Sequence, residues 1–155
     1  MKEQLISLKT ATLAKEKQFQ EYTSYFYTKE NGLCSIDNDG ETLNIYNDDL
    51  TFKDSIWDCN GEFWYNLIED EEGIGAQLYE PIKYPAPTQS LLQKWLREKH
   101  KIILIIGYQY EDDLTPYSYW IYKEEESLPI NQWVDDLKTY EQALELGLQE
   151  ALKLI

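Results

Sequence analysis

The sequence predicts an α+β fold, a mainly antiparallel sheet packed by an N-terminal, a central and a C-terminal helix. We expect one domain over 1–155, with two subdomains meeting near 80–87. Three observations carry that expectation. Residues 88–99, opened by Thr88 or Pro87, and residues 139–155, opened by Thr139, place apolar side chains at helical spacing. Residues 102–106 and 117–122 are β-branched and aromatic, the composition of strands. Residues 22–68 hold brief apolar runs punctuated by Asn31-Gly32, Asp39-Gly40 and Asn60-Gly61, which are hairpin and turn signals.

Taken in order, Ser7 is placed to cap a first helix, with Leu8, Ala11 and Ala14 on one face. Thr10 stands where a capping box would hold Glu or Gln, so that cap is half specified. The helix should fade near Lys17, with Phe19 packing back. Short strands are expected at 22–28, 33–36 and 42–46, then a polar connection over 47–54. Phe63–Ile68 reads as a strand, Glu69–Gly75 as a charged loop and Ala76–Tyr79 as brief extended chain. Pro81, Pro85 and Pro87 mark an irregular approach to the central helix. In that helix Leu91, Leu92, Trp95 and Leu96 form the apolar face, and Lys99 and His100 lie at the end that favours cations.

Ile102–Ile106 is continuously apolar, which predicts an interior strand. Residues 117–122 then return in an antiparallel hairpin, with Tyr117, Tyr119 and Ile121 on one side and Ser118, Trp120 and Tyr122 on the other. Pro129–Val134 reads as irregular. Thr139 with Gln142 fits a capping box, and Tyr140, Leu144, Leu148, Ala151 and Ile155 fall on one stripe. Gly147 inside that helix costs about 1 kcal/mol against alanine, and close packing on the sheet would explain it.

Of 155 residues, 14 are Lys or Arg and 29 are Asp or Glu, a net charge of −15. The acidity is regional: residues 21–80 have 2 basic and 15 acidic side chains, and residues 81–110 have 5 basic and 1 acidic. A polyanion is repelled by phosphate backbones, so nucleic acid is not the expected partner. A small basic face at Lys94, Arg97, Lys99 and Lys101 reads as a solvated helix surface. No run of about 18 apolar residues predicts a membrane span, and the start after Met1 lacks a signal-peptide core. A cytoplasmic location is the expectation.

The strings Ala86-Pro87-Thr88-Gln89, Leu92-Gln93-Lys94-Trp95-Leu96-Arg97, Tyr140-Glu141-Gln142-Ala143-Leu144-Glu145 and Leu148-Gln149-Glu150-Ala151-Leu152-Lys153, with the Ile6-Ser7-Leu8 helix start, resemble small uncharacterised proteins of phages and integrated elements of gut-type Bacteroidetes. The resemblance covers roughly the last 70 residues and that start. It implies an origin and a bacterial cytoplasmic setting, and it assigns no activity.

The residues of catalysis are sparse. His100, the one histidine, sits between Lys99 and Lys101 without a nucleophile or an orienting carboxylate beside it in sequence. Cys34, Cys59 and His100 are spaced 25 and 41 residues apart, which is no zinc signature. The Asp37–Glu41 segment misses the calcium-loop register, because Ser35 and Tyr46 would occupy positions that need Asp and Glu. Asp48, Asp49, Asp54 and Asp58 are oxygen donors suited to Mg²⁺, but no basic residue is paired with them for substrate. Gly73 and Gly75 do not make a phosphate loop. No catalytic, cofactor-binding or metal-binding residue is therefore assigned, and no cofactor or enzyme activity is expected.

The aromatic load points elsewhere. Tyr, Trp and Phe number 22, of which 13 are Tyr. On a strand, alternate rings must face opposite ways, so some should be exposed. Such rings suit protein interfaces, and acidic loops among them would suit a basic partner. The expected surface comprises Tyr108, Tyr110, Tyr117, Tyr119, Trp120 and Tyr122 with Asp48 and Asp49. The function expected is a non-enzymatic acidic protein-binding module, with a nucleic-acid mimic or anti-defence protein as a special case; self-association is compatible with it. The alternatives are a small-ligand or nucleotide-binding protein, with Lys94, Arg97 or Lys101 meeting an anion, and a metal-dependent hydrolase.

Overall fold

Hydroxyl caps begin all three helices found among the described residues of the computed structural model. Those residues are 4–29, 31–37, 42–57, 65–70, 73–78, 83–108, 116–124, 130–132 and 137–155. Ser7 Oγ accepts from Thr10 N at the start of α1 (Leu8–Glu16). Thr88 Oγ1 accepts from Leu91 N before α2 (Gln89–His100). Thr139 Oγ1 accepts from Gln142 N before α3 (Tyr140–Leu152). Each cap satisfies an amide that has no partner within its helix and contributes about 1 kcal/mol. At α3 the Gln142 side chain reaches back to Lys138 N at 3.1 Å, one residue before the usual capping-box target.

The fold is α+β, and its contacts divide it into two compact units: residues 1–20 with 87–155, and residues 21–86. In the second unit β1 (Phe26–Thr28), β2 (Gly32–Ile36), β3 (Thr42–Tyr46), β4 (Phe52–Trp57) and β7 (Tyr84–Pro85) form an antiparallel sheet ordered β4-β3-β2-β1-β7. Pro85 is tolerated because β7 lies at the end of the sheet, where a missing N–H breaks no ladder. Gly32 opens β2 at φ 75°, the left-handed conformation that the Asn-Gly signal anticipates. Phe26, Cys34 and Ile45 lie side by side across three strands and pack with Ile36, Leu43 and Ile56. Burial pushes the Cys34 thiol up, partly opposed by a hydrogen bond with Thr28.

Two expectations for this unit are corrected. Residues 52–57, read partly as a polar connection, are β4, joined to β3 through a register shift at Ile45 and Tyr46. The supposed loop at 69–75 contains the ends of a hairpin, β5 (Tyr65–Asp70) with β6 (Gly73–Leu78). Charge misled the reading in both places, because the ladder is made by backbone groups and forms whatever the side chains carry.

In the first unit β8 (Ile102–Tyr108), β9 (Tyr117–Lys123) and β10 (Ile130–Gln132) form an antiparallel sheet ordered β10-β9-β8. The 117–122 hairpin partner is as expected, while 130–132 is a strand where irregular chain was expected. Lys101 adopts the left-handed conformation at φ 56°, donates its amide to Leu96 O and turns α2 directly into β8. Leu104, Tyr119 and Ile121 face the helices, and α3 packs on both β8 and β9. Ala11, Ala14, Leu92, Leu96, Leu144, Leu148, Ala151 and Leu152 complete this core. Leu8 is exposed and Thr10 buried, which turns α1 about one position from the expected face.

The reason is Glu145 of α3. Its Oε1 accepts from Ser7 N at 2.8 Å and Thr10 Oγ1 at 2.5 Å, and its Oε2 accepts from Gln89 Nε2 at 3.0 Å. Gln149 Nε2 donates to the same Thr10 hydroxyl at 3.0 Å. One carboxylate thus joins α3 to the first turns of α1 and α2, where negative charge is also favoured by the helix dipole.

Glu145→Ala should lower unfolding free energy by about 1–3 kcal/mol, because the Thr10 hydroxyl and one of the two Gln89 Nε2 hydrogens lose their acceptor, the other still being given to Glu141 O at 3.1 Å. Glu145→Gln should cost less, and urea melts of both variants would show the order. A Cβ at Gly147 would lie 2.6 Å from Leu104 Cδ1 and 3.3 Å from Tyr119 Cγ. Gly147→Ala should therefore lower the midpoint of thermal unfolding, since overpacking costs about 1–3 kcal/mol and outweighs the gain of about 1 kcal/mol in helix propensity.

Candidate functional site

The three-stranded sheet has two unlike faces. Register pairs Ile103 with Tyr122, Ile105 with Trp120 and Gly107 with Ser118 on the side away from α3. Ile103 is 47 % exposed, Ile105 46 % and Tyr122 36 %, and Trp120 is half-buried. β8 is therefore a terminal strand among the described residues, buried on one face only, and the expected interior strand is corrected. An unbroken apolar run fits this strand because one set of side chains faces the core and the other forms an apolar surface.

Gly107 decides where Trp120 lies. A Cβ at Gly107 would sit 2.0 Å from Trp120 Cζ3 and 2.2 Å from Cη2. The indole leans along the diagonal across the two strands and fills the place that a side chain would occupy, covering a glycine backbone in a terminal strand. Ser118 Oγ, opposite Gly107 on the same face, is buried and has no hydrogen-bond partner. Gln93 Nε2 of α2 donates to Leu104 O at 2.8 Å, so part of the outer β8 edge is already occupied.

The expected surface residues separate. Trp120 and Tyr122 are on this face. Tyr108 and Tyr117 are opposite each other at the far end of the hairpin, rings 5.2 Å apart, with parity toward the helix side. Tyr119 is a correction: it is 1 % exposed, packed near Gly147, with its hydroxyl pushed up by burial and by the Glu150 charge. Alternation placed it with the inward residues, and its aromatic type alone had suggested the surface. Tyr110 lies outside the described residues. Asp48 and Asp49 are exposed in the turn between β3 and β4, in the other unit; Asp49 Oδ1 accepts from Thr51 N at 2.9 Å and shapes that turn. The residues that sequence reasoning missed are Ile103, Ile105 and Gly107. An even–odd reading of Ile102–Gly107 against Tyr117–Tyr122 would have paired them with the rings.

Among the described residues, no group of three or more His, Cys, Asp or Glu side chains could hold a metal ion. Asp58 and Cys59 lie outside those residues. His100 lies in the last turn of α2, and its ring meets that of Trp95 with centroids 4.5 Å apart. Desolvation, and then the Lys99 charge, push its pKa down. A groove of about 530 Å³ beside α3 is lined by Thr139, Glu141 and Glu145, but both Glu145 oxygens already bind donors within the unit. A smaller recess of about 280 Å³ in the other unit includes Tyr22, Phe26 and Lys83, whose ammonium stands 4.9 Å from the Phe26 ring centre. No helix of the described residues is long and apolar enough to cross a membrane. The chain matches no family model, no curated protein and no solved structure.

His100 supplies a pH test. Because its folded pKa is lowered from 6.5, the unfolded chain takes up the proton first. Its contribution is complete above that ordinary value and is lost as pH falls through the lowered one. His100→Gln should remove this component, so the stability difference between wild type and variant should shift against the wild type on acidification, measured by denaturant melts from neutral to mildly acidic pH.

Proposed function

We propose that this chain is a non-enzymatic protein-binding module that meets a basic partner through the outer face of its three-stranded sheet. The observation that carries the reading is the registered apolar surface of Ile103, Ile105, Trp120 and Tyr122. An exposed sheet face of this kind suits a macromolecule better than a small ligand, which needs a concave pocket. Electrostatics supply the sign of the partner. The connecting segments 109–116 and 124–129 hold Glu111, Asp112, Asp113, Glu124, Glu125 and Glu126 and no Lys or Arg. With a net charge of −15, long-range attraction favours a basic protein and disfavours nucleic acid. The resemblance of the helices supports a setting in the bacterial cytoplasm, within a phage or mobile element.

Immobilised wild type should retain a protein from bacterial lysate at about 0.05 M salt and release most of it at about 0.5 M. The double variant Ile103→Glu with Ile105→Glu should lose at least roughly tenfold of that retention while keeping its fold, as expected for the centre of an interface. Equal retention by the double variant, or a partner indifferent to salt, would reject the proposal.

A further inference from the structure

Resting on that reading, we infer that Trp120 is the anchor of the surface and that it receives an arginine side chain from the partner, stacked on the indole. Three features of the face converge on this. The ring is held by its seat on Gly107, where no other side chain fits, so little freedom is lost when a partner lands on it. Its flanks are Ile105, directly opposite, and Ile103 and Tyr122 one pair along, which provide an apolar surround. Indole is the strongest of the side-chain π-acceptors for a cation, and partial desolvation strengthens the contact.

Arginine is favoured over lysine by the character of the site, a half-buried ring with apolar flanks. A guanidinium is planar, stacks on aromatic rings and carries N–H donors around its rim, whereas an ammonium is a more strongly hydrated point charge. Neither Lys123 nor Lys101 occupies this place: Lys123 donates to Leu154 O at 3.3 Å, and Lys101 is exposed before β8 begins. Gln93 on the outer edge of β8 directs the partner to the face rather than to strand addition.

The test uses the whole chain, labelled with ¹⁵N, and a short synthetic peptide that alternates arginine and leucine. Matched peptides carry lysine or uncharged citrulline in place of arginine. The arginine peptide should shift the Trp120 indole N–H resonance, assigned by its disappearance in Trp120→Phe. Citrulline should weaken binding about tenfold, and lysine by less, as loss of a partly desolvated cation–π contact requires. Trp120→Leu should weaken arginine-peptide binding by a similar factor, and Trp120→Phe by less, with circular dichroism confirming both folds. No binding of the arginine peptide, equal binding of the citrulline peptide, or undiminished binding by Trp120→Leu would overturn the inference. If Trp120→Leu keeps the lysate partner while Ile103→Glu with Ile105→Glu loses it, the protein-binding reading stands and the arginine anchor falls.

Discussion

The Glu145 carboxylate holds together segments that lie far apart in the chain. Its two oxygens receive Ser7 N, the Thr10 hydroxyl and the Gln89 amide, and Gln149 adds a second bond to Thr10. Backbone pairing reinforces the same seam: Ile6 N donates to Pro87 O and Gln89 N to Gln4 O. A half-buried carboxylate that takes all of these donors fixes the rotation of α1, since Thr10 must face inward to reach it. That rotation is why Leu8 rather than Thr10 lies outside. The same seam brings residues 1–20 into one unit with residues 87–155.

With α2 and α3 placed, the three-stranded sheet can bury one face only. Leu104, Tyr119 and Ile121 go inward, and alternation sends Ile103, Ile105, Trp120 and Tyr122 outward. Two glycines serve opposite faces of this sheet. Gly147 in α3 admits Leu104 and Tyr119 from the inner side, and Gly107 in β8 admits Trp120 on the outer side. Close approach, rather than backbone freedom, is the use of both. The inner contact makes the core compact; the outer one positions the ring on which the proposed interaction depends.

Much of the helical unit was legible because its signals are local. Ser7, Thr88 and Thr139 act through amides only three residues away, so the sequence names the caps at Ser7 and Thr139 and narrows the third to Thr88 or Pro87. Strand pairing in the 102–123 hairpin was legible for the same reason: the two strands are close in sequence, and alternation sorts Tyr117, Tyr119 and Ile121 from Ser118, Trp120 and Tyr122. The candidate surface was half legible. Trp120 and Tyr122 were placed among interface residues by type, but Tyr119 was placed with them although it fills the core. Ile103 and Ile105 were hidden in an apolar run that looked wholly interior, since composition cannot say whether a helix covers the second face.

The sequence by itself determined the α+β class, the three capped helices, the β8–β9 hairpin and the acidic excess. Each follows from side-chain type and short spacing, which act before any distant contact forms. Only the tertiary structure decided that Glu145 meets Thr10 and Gln89, that β8 is terminal, that Trp120 rests on Gly107 and that Tyr119 is buried. Those outcomes depend on pairs separated by up to 135 residues in the chain or on which face an element covers. Period and propensity contain no term for either, so the packed structure must supply it.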